Sequence, residues 1–211
     1  MILHDYFRSS AAFRVRIALN LKGLDAERRF VHLRKGEQRD PAYLELNPQG
    51  LLPMLTIDGR RFTQSLAIIE YLDETHPNPP LLPADPADRA WVRSMALAIA
   101  CDIHPIDNVR VLKYLETTLA LDKSQRDAWY VHWIREGFEA LEAQLASRAT
   151  GAFCFGDAPT LADICLVPQV ANSQRLKMDL APWPRLRAVN AACLALPAFD
   201  AARPERQPDA E

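Results

Sequence analysis

The chain has 211 residues, 49% of them hydrophobic, and a formal net charge of −2 at pH 7. This length leaves room for one large or two small domains with a sizeable core. Proteins that follow nucleic-acid phosphates usually carry a basic excess, so the charge argues against a nucleic-acid partner. We find neither an apolar run near the roughly 20 residues that span a bilayer nor a signal peptide, and we therefore expect a cytoplasmic protein without a membrane partner.

Short strands and helices alternate over residues 1–80. Residues 2–6 predict a strand, and residues 10–22 predict a helix that ends at a lysine followed by Gly23. The other predicted elements of this half are a strand over 27–33, a polar loop over 34–40, a short helix over 41–46, a hairpin of 51–57 with 60–62, and a helix over 65–75. The order βαβ and then ββα predicts an α/β domain.

Two serines stand where the first predicted strand gives way to the first helix. A serine at a helix N-cap satisfies one of the free first-turn N–H groups and presents its hydroxyl to a ligand, and Ser9 and Ser10 are placed for this role. Arg8, Arg14 and Arg16 add positive charge, although Arg14 and Arg16 fall on different faces of the helix. The segment predicts an anion and thiol site, but an ordinary capped helix with solvated arginines explains it equally well.

Two further features of the first half need an explanation. Pro53 interrupts a predicted strand, where it cannot donate a ladder hydrogen bond. An edge position accounts for it, but a cis peptide bond at Leu52–Pro53 would present the N–H and C=O of Leu52 to a peptide-like ligand. Ser65 is the predicted N-cap of the helix over 65–75, and the amide of Gln64 beside it can bond both an amine and a carboxylate.

A proline-rich linker over about 76–88 separates this half from a predicted helical domain over 87–211. One helix there carries an apolar stripe with helical spacing, which favours a core role. The stripe consists of Trp129, Trp133, Ile134, Gly137, Phe138, Leu141 and Leu145. Thr160 and Asp163 form a variant capping box, which we interpret as structural. The predicted fold class is therefore α/β followed by all-α.

Pro105 should kink or end a helix in the second half. His104 and Asn108 are four residues apart near this point, so we expect them to share a face and to line a cleft between the domains, although an interior role for the histidine is the commoner case. The four cysteines lack metal-ligand spacing, and we predict no metal site and four buried free thiols. They are Cys101, Cys154, Cys165 and Cys193.

Several motifs together resemble those of the zeta-class glutathione transferases, over nearly the whole chain. They are Tyr-Phe-Arg-Ser-Ser at 6–10, Arg-Val-Arg-Ile-Ala-Leu at 14–19, Gln-Ser-Leu-Ala-Ile-Ile-Glu-Tyr-Leu at 64–72 and Leu-Val-Pro-Gln-Val-Ala-Asn at 166–172. The resemblance implies a thioredoxin-like domain with a cis-proline, then an α-helical domain, assembled as a homodimer.

The resemblance also implies glutathione as the cofactor and assigns residues to it. Ser9, with Ser10 beside it, would support the glutathione thiolate. The implied glutathione-binding set is Ser9, Ser10, Ala11, Arg14, Gln38, Leu52, Pro53, Gln64, Ser65, His104, Asn108, Val109 and Arg110. Arg8 and Arg175 are candidates to grip substrate carboxylates. Ala11 departs from the family, which usually has a cysteine there, so any contribution of that cysteine is absent from this chain.

The implied reaction is the cis to trans isomerisation of a small dicarboxylate-type alkene, maleylacetoacetate, in tyrosine breakdown. Reversible addition of the glutathione thiolate would convert the double bond to a single bond that can rotate. Three alternatives stay open at this point. They are isomerisation of maleylpyruvate, a broader glutathione transferase or haloacid-dehalogenating activity, and a non-catalytic interaction module with the same fold.

Overall fold

Four short strands form one mixed sheet in the first unit of the structure. The computed structural model describes residues 1–148 and 151–211, whose contacts divide them into Met1–Leu81 with Ala195–Glu211 (the first unit) and Leu82–Leu194 (the second unit). The first unit contains β1 (Ile2–Asp5), α1 (Ser10–Lys22), β2 (Glu27–Phe30), α2 (Pro41–Leu44), β3 (Met54–Ile57), β4 (Arg60–Thr63) and α3 (Ser65–Thr75). The strand order is β2-β1-β3-β4, with β1 and β2 parallel and the other two pairs antiparallel.

The predicted elements are present, but three of the four strands are shorter than predicted, while β4 extends one residue further, to Thr63. The helices over 10–22 and 65–75 are confirmed. The strand predicted over 27–33 stops at Phe30, because it pairs residue by residue with β1, which ends at Asp5. The polar loop over 34–40 contains a 3₁₀ turn, Glu37–Arg39.

Helix α1 ends where the sequence predicts. Gly23 has a left-handed backbone (φ 64°), and its N–H donates to the C=O of Asn20 (3.1 Å). The N–H of Leu24 donates to the C=O of Leu19 (2.9 Å), so two carbonyl groups of the last turn have partners. Glycine adopts a left-handed backbone conformation at little energetic cost, and this explains why the helix ends here.

In the second unit, the regular elements of the described residues are all helical. These are α4 (Pro86–Leu97), a π-helical turn (Ala98–Ile103), a 3₁₀ turn (His104–Ile106), α5 (Val109–Thr117), α6 (Lys123–Ala146), α7 (Leu161–Arg175) and α8 (Pro184–Leu194). Asp122 and Gln125 form a capping box at the start of α6, which the sequence analysis did not identify. The fold class predicted for this half, all-α, is confirmed.

The apolar stripe of α6 lies in the core of the second unit. Ile134 and Phe138 are fully buried, as are the two leucines that follow them on the same face. Trp129 is half-buried, and its indole N–H donates to a backbone carbonyl group (3.0 Å). A Cβ atom added at Gly137 would stand 2.1 Å from Cδ1 of Ile103, so a glycine is needed where these segments approach each other. The core interpretation of the stripe is confirmed.

Asp163 secures the start of α7. Its Oδ2 accepts hydrogen bonds from the N–H and the hydroxyl of Thr160 (2.8 and 2.9 Å), and its Oδ1 accepts one from the N–H of Cys154 (2.8 Å). Asp163 is fully buried, and burial raises the pKa of its carboxyl group although these hydrogen bonds lower it. The contacts agree with the predicted structural role.

The C-terminal segment, Ala195–Glu211, belongs to the first unit. It contains α9 (Pro197–Ala202), and the amide of Asn20 on α1 donates to the C=O of Ala198 (2.8 Å). The prediction of a helical domain over 87–211 is therefore wrong at its C-terminal end. The signal for this return lies in contacts between residues far apart in the chain, which composition and helical periodicity do not register.

Membrane-spanning helices are not found in the part of the chain that the structure describes. Each helix there is too short or too polar to cross a bilayer.

Candidate functional site

The start of α1 holds both serines. Ser9 is the N-cap, with φ −70° and ψ 112°, and its hydroxyl oxygen accepts a hydrogen bond from the N–H of Ala12 (3.2 Å). Its own N–H donates to the C=O of Tyr6 (2.9 Å). Ser9 and Ser10 are 9% and 7% exposed. A hydroxyl group that accepts one bond still has a proton to donate, so Ser9 can serve a sulfur or oxygen atom of a ligand.

Arg16 stabilises the scaffold behind these serines. It is buried, so the interpretation of the helix arginines as solvated is wrong. Nη1 pairs with Oδ1 of Asp5 (2.8 Å), Nη2 donates to the C=O of Phe7 (3.0 Å), and Nε donates to the C=O of Ala202 (2.9 Å). Burial lowers the pKa of Arg16, and the charge of Asp5 opposes this effect. Arg16 has its donors committed to the protein and is not a candidate ligand residue.

Arg14 links α1 to the start of α3. It is buried like Arg16, and its Nη1 donates to the hydroxyl of Ser65 (3.3 Å). The partners of Arg14 and Arg16 lie on different sides of the helix, which confirms their assignment to different faces. The structure thus brings together two residues of the predicted glutathione-binding set, Arg14 and Ser65.

The first residue of α3 is Ser65, and its N-cap is Gln64, so the prediction of Ser65 as N-cap is wrong. Gln64 has φ 68° and ψ 114°, and its side chain makes no capping hydrogen bond. The chain turns there from β4 directly into α3, and the left-handed residue makes the turn. A non-glycine residue with positive φ is costly and is often found at functional sites. The exposed amide of Gln64 donates to Oε1 of Gln49 (3.2 Å).

The peptide bond between Leu52 and Pro53 is cis, which confirms that interpretation of the proline. Strand β3 begins after it, and its ladder with β1 starts at the pair of Met54 with His4. The N–H and C=O of Leu52 therefore lie outside this ladder. They are placed to bond the backbone of an extended ligand, in the way that a strand is added to a sheet.

Two buried residues that the sequence analysis missed support this segment. The phenol of Tyr43 and the amide of Asn47 both donate to the C=O of Leu51, at 2.7 and 2.8 Å. Asn47 also accepts a hydrogen bond from the N–H of Gln49 (3.2 Å). Burial raises the pKa of Tyr43 to about 12, so the phenol remains a donor at neutral pH. The sequence signal here is the stretch Asn47-Pro48-Gln49-Gly50, which is typical of a turn and does not by itself indicate these hydrogen bonds.

Gln38 lies in the 3₁₀ turn Glu37–Arg39. Its Oε1 is buried, and among the residues that the structure describes it has no hydrogen-bond partner. The backbone oxygen of Gln38 is 2.8 Å from the position that a Cβ atom would take at Gly50, so this turn packs closely on the turn that carries Gln49. A buried amide without a partner is costly, which favours a ligand here.

The second unit contains the remaining predicted contacts, and here one prediction fails. His104 and Asn108 do not share a helix face, because the chain passes through a 3₁₀ turn after His104 and α5 begins only at Val109. The side chain of Asn108 caps α5, accepting hydrogen bonds from the N–H of Arg110 (3.1 Å) and of the next residue (3.2 Å). Both Val109 and Arg110 are exposed. Pro105 ends the helix as predicted.

Asp107, between these residues, was not predicted to matter. It is 3% exposed, and within residues 1–148 and 151–211 neither carboxylate oxygen has a hydrogen-bond partner. Burial raises the pKa of Asp107 to about 8, so the carboxyl group is protonated at neutral pH.

The two arginines predicted to grip a substrate are differently placed. Arg8 is half-buried in the first unit and directly precedes Ser9, and it forms no ion pair with the described residues. Arg175 is exposed at the last turn of α7 in the second unit, where Nη2 donates to Oδ1 of Asn172. Ala11, where the resemblance implies a cysteine, is buried in α1.

None of the four cysteines forms a disulfide bond, and one of them is not buried. Cys101 is exposed, which corrects the prediction of four buried thiols, while the other three are fully buried. Burial raises the pKa of Cys154 and of Cys193. These buried thiols are poor nucleophiles.

Comparison with known proteins gives consistent matches along the whole chain. The family model for the glutathione S-transferase N-terminal domain matches residues 8–75, and that for the C-terminal domain matches residues 125–191. The chain is 51% identical over 213 residues to a protein of Vibrio cholerae named probable maleylacetoacetate isomerase. The alignment covers 100% of this chain and 98% of that protein.

Two solved structures extend the comparison. The holo structure of a maleylpyruvate isomerase, described as a bacterial glutathione S-transferase of the zeta class, has a TM-score of 0.98 and 48% identity, with complete coverage of both chains. The maleylacetoacetate isomerase of Anaeromyxobacter dehalogenans 2CP-1 has a TM-score of 0.87 and 43% identity, covering 100% of this chain and 97% of that one. That structure holds dicarboxyethyl glutathione and citrate in its active site.

Proposed function

The chain belongs to the glutathione S-transferase family, and from this membership we propose that it is a glutathione-dependent isomerase that converts maleylacetoacetate to fumarylacetoacetate. The observation that carries the proposal is the hydrogen bond from Arg14 to Ser65 (3.3 Å), which joins α1 to the start of α3. Ser9 is the N-cap of the first of these helices, and Gln64 is the N-cap of the second. Helix N-termini favour anionic groups, and glutathione carries two carboxylates and an ionisable thiol.

The residues of the first unit fit an extended tripeptide. The N–H and C=O of Leu52, which lie outside the ladder of β1 and β3, match the peptide groups of the cysteinyl residue of glutathione, in the manner of strand addition. Gln38 has a buried amide oxygen that lacks a partner among the described residues, and a tripeptide N–H or a flipped amide on a carboxylate would satisfy it.

The γ-glutamyl end of glutathione fits the start of α3. Its amino and carboxylate groups need an acceptor and donors, and Gln64 supplies both kinds of atom on an exposed side chain already oriented by Gln49. Ser65 adds a hydroxyl, and the backbone N–H groups of the first turn of α3 add further donors.

When bound, glutathione supplies a thiol that adds to the activated double bond and later leaves it, so that the bond can rotate in between. Ser9 would donate the proton of its hydroxyl to the sulfur, while its oxygen accepts a hydrogen bond from the N–H of Ala12. This arrangement orients the hydroxyl and favours the ionised sulfur. Ser10 begins the helix beside it and shares the same end.

Lowering the thiol pKa explains only part of such catalysis. A thiol of pKa near 8.5 is about 3% ionised at pH 7, and a pKa lower by roughly 2 units raises that fraction about 25-fold. A less basic sulfur is also less nucleophilic, so the net gain is only about threefold if the slope for thiol–disulfide exchange applies. Orientation of the reacting groups and stabilisation of negative charge on the substrate must contribute more.

Arginines are suited to stabilise that negative charge, because a guanidinium group binds a carboxylate through two hydrogen bonds. We assign this role to Arg8, which directly precedes Ser9 and has no ion pair among the described residues. We propose that Arg175 binds a second carboxylate of the substrate. As further contacts of the tripeptide or substrate we retain His104, Asn108, Val109 and Arg110. Asn108 can do this only with its amide nitrogen, since its oxygen caps α5.

A second candidate substrate is maleylpyruvate, which the high similarity to the maleylpyruvate isomerase structure favours. The two substrates share the activated cis double bond, so the same residues serve either. The physiological setting that we propose is tyrosine breakdown in the cytoplasm, by a homodimer. The free cysteines are typical of a reducing compartment.

Purified protein tests the proposal directly. Isomerisation of maleylacetoacetate and of maleylpyruvate is followed with and without glutathione, and the ratio of the two kcat/KM values identifies the preferred substrate. We expect activity only when glutathione is present. Equal rates without glutathione would refute the mechanism, and failure to bind immobilised glutathione would favour a non-catalytic interaction module.

The neighbouring serines supply a matched pair of variants. Ser9→Ala should lower kcat far more than Ser10→Ala, because the hydroxyl of Ser9 lies at the N-cap, where its oxygen accepts the N–H of Ala12 and its proton can be donated to the sulfur. Removal of the N-cap also costs about 1 kcal/mol of stability, so the melting temperature of both variants is measured as a control. Comparable losses of kcat in both variants would contradict the assignment of Ser9.

A further inference from the structure

We infer that Asp209 is a positioning residue for Ser9, acting through the loop that joins β1 to α1. Its Oδ2 accepts a hydrogen bond from the N–H of Phe7 (2.9 Å), two residues before Ser9 and 202 residues away from Asp209 along the chain. The inference rests on the proposed function in one respect, which is that Ser9 serves the sulfur of glutathione.

The backbone of this loop is otherwise held from within the first 16 residues. The N–H of Tyr6 donates to Oδ1 of Asp5 (2.8 Å), and the C=O of Tyr6 accepts the N–H of Ser9 (2.9 Å). The C=O of Phe7 accepts Nη2 of Arg16 (3.0 Å). The N–H of Phe7, in contrast, has its acceptor outside these residues, in the carboxylate of Asp209. Since backbone donors need partners in the interior, loss of this acceptor should loosen the loop.

The position of Asp209 is itself set by Gln207. The amide of this buried side chain donates to the C=O groups of Ala201 and Arg203 (2.9 and 2.8 Å). Its Oε1 accepts Nη2 of Arg28 (2.8 Å), on β2. Gln207 thus connects the C-terminal segment to β2, the edge strand of the sheet. This contact helps to hold the carboxylate of Asp209, two residues later, beside the N–H of Phe7.

The hydrogen bond between Phe7 and Asp209 acts on the segment that leads into the N-cap of α1. Residues 7–9 lie outside the helices and strands, so the orientation of the Phe7 peptide determines how the chain enters Arg8 and Ser9. A carboxylate acceptor makes a stronger hydrogen bond than a neutral one. Asp209 is therefore suited to keep the Ser9 hydroxyl in one orientation before glutathione binds, which lowers the cost of ordering it later.

Three variants of the full chain test this inference. Asp209→Ala removes the acceptor, Asp209→Asn retains an acceptor oxygen without the charge, and Asp200→Ala is the matched control. Asp200 is a carboxylate of the same segment that pairs only with Arg203 and Arg206 among the described residues. Deuterium exchange of peptides covering residues 6–13 is measured without glutathione, together with glutathione affinity by calorimetry and the pH profile of kcat/KM.

Asp209→Ala should speed exchange in residues 6–9, weaken glutathione binding, and lower kcat/KM by about tenfold, since small displacements of a catalytic group have effects of this order. The acidic limb of its pH profile should move to higher pH, because a misplaced Ser9 favours the ionised sulfur less. Asp209→Asn should recover most of the protection, and Asp200→Ala should match the wild type.

Exchange in residues 6–9 that is unchanged in Asp209→Ala, or that rises equally in Asp200→Ala, would overturn the inference. The exchange experiment needs neither glutathione nor activity. An inactive wild-type protein would therefore refute the proposed function, while the exchange data would still decide the role of Asp209 in ordering the loop.

Discussion

Replacement of Asp107 by asparagine should stabilise the protein at neutral pH. The side chain is 3% exposed, neither carboxylate oxygen has a partner among the described residues, and burial raises its pKa from 3.8 to about 8. At pH 7 the folded protein thus holds this carboxyl group protonated, whereas the unfolded chain ionises it. Asparagine has nearly the same shape as the protonated acid and has no proton to lose.

The magnitude follows from the proton balance. Between pH 3.8 and about 8 the folded protein binds one more proton at Asp107 than the unfolded chain does, so the free energy of unfolding falls as pH rises through this window. Each pH unit corresponds to about 1.4 kcal/mol, which makes the cost of a neutral Asp107 about 2 kcal/mol at pH 5 and about 4 kcal/mol at pH 7. Above pH 8 both states are ionised and the cost stops growing.

Thermal melts of the wild type and of Asp107→Asn between pH 5 and pH 8 measure this effect. For a chain of this size 1 kcal/mol corresponds to about 2 to 4 °C, so the advantage of the variant should grow by about 5 to 10 °C from pH 5 to pH 7. Asp102→Asn, at an exposed position, is the control and should follow the wild type. A difference between Asp107→Asn and the wild type that stays constant with pH would refute the reasoning.

Three other outcomes are expected. Gly137→Ala should lower the stability by about 1 to 3 kcal/mol in thermal melts, because the added methyl group meets Cδ1 of Ile103 at 2.1 Å. In an Ile103→Ala background the same substitution should cost nothing, and a Gly137→Ala variant more stable than the wild type would contradict the prediction. Arg16→Met should cost about 3 to 5 kcal/mol in urea unfolding, since it removes a partner of buried Asp5, and a loss below 1 kcal/mol would contradict it. A thiol reagent should modify only Cys101 quickly in the native protein, and Cys101→Ser should abolish that fast phase.

The sequence predicts features that depend on neighbouring residues. The end of α1 at Gly23 and the cap at Asp163 follow from local rules, and the structure confirms both. The same rules placed the N-cap of α3 at Ser65, one residue late, because they take no account of the sharp turn from β4 that gives Gln64 a positive φ. Asn108 was paired with His104 on the assumption of a continuous helix, which the turn around Pro105 interrupts.

Features that depend on distant partners were not predicted from local patterns. Arg16 reads as a surface residue until its contacts with Asp5 and Ala202 are known, and these lie 11 and 186 residues away. For the candidate site, the sequence placed Ser9 and Leu52 in the α/β half, and both lie in the first unit of the structure; their contacts with a ligand stay a prediction. Tyr43 and Asn47 were missed, because a hydrogen bond to a backbone carbonyl group leaves no mark on the sequence of its acceptor.

The return of the last residues to the first unit has a consequence for synthesis on the ribosome. The sheet and its helices emerge first, yet the acceptors and donors that complete them, from Ala198 to Asp209, are translated only after the whole of Leu82–Leu194. At a synthesis rate of about 5 to 20 residues per second, the interval between synthesis of the N-terminal half and synthesis of these partners is on the order of 6 to 25 s. The nascent first half therefore has to avoid aggregation while the N–H of Phe7 and Nε of Arg16 lack these acceptors. The loop that leads to Ser9 gains its contact with Asp209 only after the second unit has been synthesised.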